Sequence, residues 1–132
     1  MFNNTEWLAL VREDIIDPDR EIVDPHHHLW PKPHLSYDLE ELWSDTEDGH
    51  HVTQTVFMEC GSAYRKDGPD HLKPVGETEF VAAAAARSAS DPGKATIAGI
   101  VAHADLRLAN LDEVLDAQVG AANGLFRGIR HA

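Results

Sequence analysis

The 132-residue chain is poor in cysteine, in basic residues and in long apolar runs. Its single cysteine, Cys60, cannot form an internal disulfide, which predicts a reducing, cytoplasmic compartment. Eleven Lys and Arg residues stand against 23 Asp and Glu, and the net charge of −12 argues against nucleic acids and anionic membranes as partners. The longest apolar run covers residues 80–86, far short of the roughly 20 residues that span a bilayer.

The composition is that of a folded protein, with 42% hydrophobic and 26% charged residues, and the length suits about one domain. Apolar or β-branched segments predict strands that begin near residues 22, 52, 96 and 125, with helical patterns between them. Steps of about 30 residues are typical of βαβ units. The sequence therefore predicts an α/β fold: a helix and a turn in residues 1–20, then four parallel strands with crossover helices in residues 21–132.

Local signals predict where these elements begin and end. The N-terminal helix is expected to run to about Arg12, and Pro25 is expected to end the first strand. An alanine-rich helix is predicted over residues 77–90, after a loop at residues 61–74 whose length favours a functional role. Capping boxes, in which a capping side chain is followed three residues later by glutamate, are predicted at two places: Asp38 with Glu41, and Asn110 with Glu113.

The fourth predicted strand, at residues 125–130, has no helix after it, whereas each earlier strand has one. Since parallel-sheet domains seldom end on a bare strand, the pattern predicts a truncated chain and a single partial domain over residues 1–132. A (β/α)8, or TIM, barrel has eight such units in about 250 residues. We therefore expect the N-terminal half of a TIM barrel.

Three consecutive histidines follow the first predicted strand. His26 and His28 are two residues apart, so in extended backbone their side chains point to the same side and can reach one metal ion. Neutral imidazole is a ligand for zinc, iron or nickel, and Asp24 can orient a ligand ring. His27 is expected to point away from the pair. The alternative is a cluster of solvent-facing or hydrogen-bonded histidines without a ligand role.

Polar side chains also end the later strands, where TIM-barrel enzymes place their catalytic groups. Glu59 and His103 end strands two and three and are candidates for acid–base catalysis. The alternative for Glu59 is a carboxylate in an ion pair, and the alternative for His103 is a hydrogen-bonded loop histidine. Arg130 and His131 end strand four and are candidates for substrate binding. Arg130 would bind a substrate carboxylate with two hydrogen bonds. The alternative is that Arg130 forms an ion pair inside the barrel. Residues 64–66 in the long loop are expected to be solvated.

Four blocks at these strand ends carry a family resemblance. They are IVDPHHHLW at 22–30, TVFMEC at 55–60 followed by PVGETEF at 74–80, GIVAHADL at 99–106, and FRGIRH at 126–131. Together and in this order they resemble the amidohydrolase 2 branch of the amidohydrolase superfamily. These are TIM-barrel metal-dependent hydrolases that include sugar-lactone and pyrone-dicarboxylate lactonases. The resemblance runs from about residue 21 to the end of the chain.

The resemblance implies a hydrolase that cleaves a small lactone, or a related cyclic ester or amide, with water activated by a divalent metal ion. His26 and His28 match the strand-one ligands, with zinc as the expected ion and manganese as the second candidate. The ligands that such enzymes take from strands five, six and eight have no counterpart in this sequence, so the chain alone is expected to be inactive. Some lactonases of this branch keep both histidines and work without metal, which leaves metal-independent catalysis open. The alternative function is a non-catalytic metal-binding or self-assembling half-barrel module.

Overall fold

The computed structural model describes residues 4–31 and 36–131, so the first three residues of the predicted N-terminal segment lie outside it. Helices and strands alternate along the chain in this order: α1 (Thr5–Leu8), β1 (Ile22–His27), α2 (Leu39–Thr46), β2 (Val52–Met58), α3 (Val75–Ser88), β3 (Thr96–His103), α4 (Leu111–Ala121) and β4 (Phe126–Arg130). One turn of 3-10 helix, Asp70–Leu72, lies in the loop between β2 and α3. Within the described residues, no helix is both long enough and apolar enough to cross a membrane.

The four strands form one parallel sheet in the order β1-β2-β3-β4. Thr55 in the middle of β2 lies opposite Asp24 of β1 on one side and Ile97 of β3 on the other. The predicted α/β class, with parallel strands and helices between them, is confirmed. Because all strands run the same way, their carboxyl ends meet at one edge of the sheet, and the loops that follow them share that edge.

The hydrophobic core lies between the sheet and the helices. Phe57 and Ile100 from the sheet pack with Leu42 from α2 and Val81 from α3, and all four side chains are buried. Trp43 of α2 belongs to the same core, and its indole N–H donates a 2.9 Å hydrogen bond to the Ala95 carbonyl, so burial leaves no donor unsatisfied. The helices are therefore fixed against this face by apolar contact and by a specific polar anchor.

The opposite face of the sheet is less covered. Side chains alternate along a strand, so Val56 and Met58 point away from buried Phe57, and both are half-buried. Val23 on β1 is 53% exposed. This face therefore presents apolar side chains without a second layer of described residues against it.

Pro25 does not end the first strand, contrary to the prediction. β1 continues to His27, with an irregular register between Asp24 and His27. β1 is at the edge of the sheet and pairs with β2 alone, so a residue without an N–H can sit in it without breaking a ladder on its outer side. Residues 26 and 27 thus belong to the strand itself.

Two predictions about helix ends are also wrong. α1 ends at Leu8 and not near Arg12, because Trp7 and Leu8 are 70% and 64% exposed and no packing supports a longer helix. At α4 the Asn110 side chain does not cap the backbone but donates 2.9 Å to the Glu113 carboxylate. The capping box of Asp38 and Glu41 is confirmed at α2, and the alanine-rich helix spans 75–88, two residues earlier than predicted.

Candidate functional site

The two histidines singled out by their spacing lie together at the carboxyl end of β1. The Nε2 atoms of His26 and His28 are 3.2 Å apart, and their rings meet edge to face with centroids separated by 4.9 Å. His27 points to the other side, where it is buried against the ring of Phe57. The extended backbone through Pro25 therefore gives the convergence of side chains that the spacing predicts.

The backbone of His26 and the ring of His28 are each held by a hydrogen bond. Asp24 accepts a 3.0 Å hydrogen bond from the backbone N–H of His26, which fixes the chain at the point where the register is irregular. The Nδ1 atom of His28 lies 2.7 Å from the Met58 carbonyl on β2. A carbonyl acceptor places the proton on Nδ1, so the Nε2 of His28 carries the lone pair, and this nitrogen faces the Nε2 of His26 at hydrogen-bond distance.

Glu59 and Arg130 form an ion pair across the strand ends. The Arg130 Nε donates 2.8 Å to the Glu59 carboxylate, and Nη2 donates 2.6 Å to the Glu59 backbone carbonyl. The remaining arm of the guanidinium, Nη1, lies 3.5 Å from the Nε2 of His26. The Glu59 side chain is 8% exposed and that of Arg130 33%, so the pair is partly shielded and reaches the histidine pair directly.

The ends of β3 and β4 add two rings to this edge, and the loop after β2 adds a third. The Nδ1 of His103 is 3.9 Å from the second carboxylate oxygen of Glu59, and the His131 ring lies 5.1 Å from that of His103. Tyr64, from the loop after β2, packs its ring 6.5 Å from His103. Burial, together with the charges of Glu77 and Glu59, raises the pKa of Tyr64 to about 12, so its hydroxyl stays a hydrogen-bond donor at neutral pH.

The spacing of the histidine pair fits one tetrahedral metal ion. Two nitrogens that each lie 2.0–2.1 Å from zinc at a tetrahedral angle are about 3.3 Å apart, and the pair here is separated by 3.2 Å. Residues 4–31 and 36–131 contain no group of three or more His, Cys, Asp and Glu side chains arranged to hold a metal ion. The described residues therefore supply two ligands of a possible set.

Scans against protein-family models, curated proteins and solved structures find no match to this chain. The function of the strand-end site must therefore be argued from its own geometry and from the sequence blocks.

A cavity of about 560 Å³ lies along β1 and α2 and is lined by the three histidines together with Tyr37 and Thr46, among others. His27 is 6% exposed, and neither of its ring nitrogens has a hydrogen-bond partner within residues 4–31 and 36–131. Burial lowers the pKa of His27 to about 4, against the opposing influence of the Asp24 charge. His27 is therefore a neutral, apolar-like part of the packing at neutral pH.

All six residues predicted at the strand ends lie at this edge of the sheet, but their groupings differ from what sequence order shows. Glu59 forms an ion pair with Arg130, which was the alternative interpretation for each of these residues. Arg130 also contacts His26. Arg127, two residues before Arg130, instead bonds the backbone carbonyls of Gly124, Phe126 and Ala98 and supports β4.

Two further residues lie at or beneath this edge. Tyr64 was predicted to be solvated and is 36% exposed, although its ring lies 6.5 Å from that of His103. Glu77 was predicted only as the first residue of the alanine-rich helix, and it is 1% exposed beneath the loop that follows Glu59. The available signal was its place in the first helical turn directly after a long loop, where backbone N–H groups often need an acceptor.

Proposed function

We propose that this chain forms the N-terminal half of a TIM-barrel hydrolase of the amidohydrolase superfamily. Its substrate would be a small lactone, or a related cyclic ester or amide. The four sequence blocks that resemble this family support the proposal, and each contributes to a strand or strand end of the sheet. Strands that follow one another in space as in sequence, and an apolar sheet face without a second layer, suit the first four units of a barrel.

The observation that carries the proposal is the 3.2 Å separation of the His26 and His28 Nε2 atoms at the carboxyl end of β1. These two residues would hold a divalent ion, zinc first and manganese second. Such an ion would activate water and polarise the carbonyl of the substrate. The Met58 carbonyl on Nδ1 of His28 keeps that ring in the tautomer a metal ligand needs.

The other strand-end residues would bind substrate and move protons. Arg130 offers N–H groups to a carboxylate or a carbonyl oxygen of the substrate. One oxygen of Glu59 is held by Arg130 and the other faces the His103 Nδ1 at 3.9 Å. This distance exceeds that of a hydrogen bond, so a proton would pass between the two groups through one bridging water. His131, stacked edge-on against His103, lines the same edge and would contact substrate. The acidic charge and the single free thiol suit the cytoplasm.

One contact favours a second version of this function, hydrolysis without metal. A guanidinium nitrogen of Arg130 lies 3.5 Å from the Nε2 of His26, where a positive charge opposes a bound cation and attracts an anion. In this version His26, His28 and Arg130 would together bind an anionic group of the substrate. The reaction class stays the same, and the two versions differ in what occupies the histidine pair.

Zinc titration of the chelator-treated chain tests the ligand pair. We expect saturable binding of one zinc per chain by calorimetry, and loss of that binding in the double variant His26→Ala/His28→Ala. The control is His50→Ala/His51→Ala, which removes two neighbouring histidines from the turn before β2, where both are exposed. Equal zinc binding in the first variant and the unchanged chain would refute the pair as a metal site.

Activity is tested in the longer protein that the half-barrel proposal requires, stripped of metal and reconstituted with zinc or manganese. Lactone hydrolysis that returns with metal and is lost in His26→Ala supports the metal-dependent version. Hydrolysis that is indifferent to metal but lost in Arg130→Ala supports the metal-free version. Hydrolysis that survives all of these changes contradicts the proposed site.

A further inference from the structure

A buried carboxylate lies directly beneath the strand-end site. Glu77, in the first turn of α3, is 1% exposed. Its Oε1 accepts hydrogen bonds from the backbone N–H groups of Cys60 at 3.2 Å and Ser62 at 2.6 Å. The loop that begins immediately after Glu59 is therefore fastened to α3 by one side-chain oxygen.

The same loop is fastened to the end of β1. The Ser62 hydroxyl donates 2.9 Å to the carbonyl of Leu29, and the Cys60 thiol lies 3.5 Å from that carbonyl and from the Glu77 carboxylate. Leu29 is fully buried and directly follows His28. A chain of polar contacts thus runs from α3 through the loop after β2 to the residue that follows a proposed metal ligand.

We propose that Glu77 is a positioning residue that holds the carboxyl ends of β1 and β2 in register, and thereby fixes His28 and Glu59 relative to each other. This inference rests on the proposed function, because it concerns the metal-ligand pair. Glu77 touches neither histidine and acts through Ser62 and Leu29. It is distinct from the residues that contact a metal ion or a substrate.

The geometry explains why an acceptor oxygen is needed at this position. An apolar side chain there would leave the buried N–H of Ser62 without an acceptor and would detach the loop from the helix. Gly76 beside it allows the close approach, because a Cβ at that position would lie 2.6 Å from the Arg65 nitrogen and 2.7 Å from the Ala63 carbonyl oxygen. The loop therefore packs closely on the first turn of α3 at Gly76 and is hydrogen-bonded to it at Glu77.

The test compares zinc affinity and the state of the His28 ring in Glu77 variants of the chelator-treated chain. Zinc affinity is measured by titration calorimetry. The tautomer and environment of the His28 ring are measured in the metal-free chain by long-range ¹H–¹⁵N NMR of the ring nitrogens. Glu77→Ala should weaken zinc binding by about tenfold or more, the size typical of losing an outer support of a ligand. It should also shift or broaden the His28 signals. Glu77→Gln, which keeps an acceptor oxygen, should hold zinc affinity to within about threefold of the unchanged chain.

Ser88→Ala is the matched control. Ser88 is fully buried on the same helix and also accepts a backbone N–H, from Ile97 at 3.1 Å, but at the amino end of the sheet. It should lower the urea midpoint of unfolding and leave the His28 signals and zinc affinity unchanged. Equal weakening of zinc binding in Ser88→Ala and Glu77→Ala would overturn the positioning role.

Two further readouts keep the inference separate from its premise. If Glu77→Ala does not fold, Ser62→Ala removes the bond to Leu29 with a smaller change, and should weaken zinc binding in the same direction. If the unchanged chain binds no zinc, the metal proposal fails, while the His28 signals still decide the positioning role. Unperturbed His28 signals in both Glu77→Ala and Ser62→Ala would refute it.

Discussion

His27 gives a prediction whose size follows from its surroundings. The ring points to the opposite side from those of His26 and His28, is 6% exposed, and has no hydrogen-bond partner for either nitrogen among the described residues. Burial lowers its pKa from 6.5 to about 4, and the nearby Asp24 charge and Val56 backbone only partly oppose this shift. The folded chain therefore keeps this ring neutral at pH values where an unfolded chain protonates it.

The sign of the pH dependence follows directly. Between pH 6.5 and about 4, His27 is protonated in the unfolded chain and neutral in the folded chain. The free energy of unfolding therefore falls as the pH falls. Above pH 6.5 both states are neutral and this contribution is complete. One pKa unit corresponds to 1.36 kcal/mol, so the loss at pH 4 amounts to about 3 kcal/mol.

Urea unfolding in EDTA between pH 7.5 and 4.5 measures this loss, and His27→Phe isolates it from the titration of the carboxylates. We expect the variant to lose much less stability than the unchanged chain over this range, because a phenyl ring has no proton to gain. His50→Gln, an exposed loop histidine, should leave the pH profile unchanged. Parallel pH profiles for His27→Phe and the unchanged chain, or an NMR titration of the folded His27 ring near 6.5, would refute the reasoning.

Two further predictions concern packing and charge. Gly76→Ala should destabilise the chain by about 1–3 kcal/mol, because the added Cβ would overlap the backbone of the loop. Gly120→Ala in α4, where a Cβ has no neighbour within 4 Å, should stabilise the chain by up to about 1 kcal/mol. Equal urea midpoints for the two variants would contradict the close approach at Gly76. Arg130→Ala should cost about 2 kcal/mol in urea unfolding, because it leaves the buried Glu59 carboxylate without its cation. Arg107→Ala, which breaks an exposed pair with Asp105, should cost clearly less, and the reverse order would show that the strand-end pair is not shielded.

The positions of the strands could be predicted because each signal is local. Val52–Met58 is rich in β-branched and aromatic residues, and Thr96–His103 is nearly all apolar. Both segments can therefore be predicted as strands without knowledge of the residues that pack against them. The capping box of Asp38 and Glu41 is likewise complete within four residues. Pro25 was misjudged because its effect depends on whether β1 lies at an edge or in the centre of the sheet, and local sequence does not carry that information.

The groupings within the site depend on contacts between distant residues. His26 and His28 could be paired from their spacing, since a strand's geometry fixes the relation of neighbours. The pairing of Glu59 with Arg130 joins residues 71 apart, and it depends on the register between β3 and β4. The burial of Glu77 depends on how the loop at residues 60–62 folds back on α3. Such polar contacts are set by tertiary packing, which periodicity and propensity do not encode.

The charge at the strand ends determines what the histidine pair can hold. Arg130 alone would place a full positive charge 3.5 Å from the Nε2 of His26 and oppose a divalent cation there. Glu59 holds the same guanidinium at 2.8 Å, so the two side chains are neutral as a unit and most of that repulsion is cancelled. A cation at the histidine pair and an anionic substrate group near Arg130 would therefore be compatible, because the neutral ion pair strongly repels neither of them. Under the metal proposal, Glu59 would favour a metal ion at His26 and His28 without coordinating it.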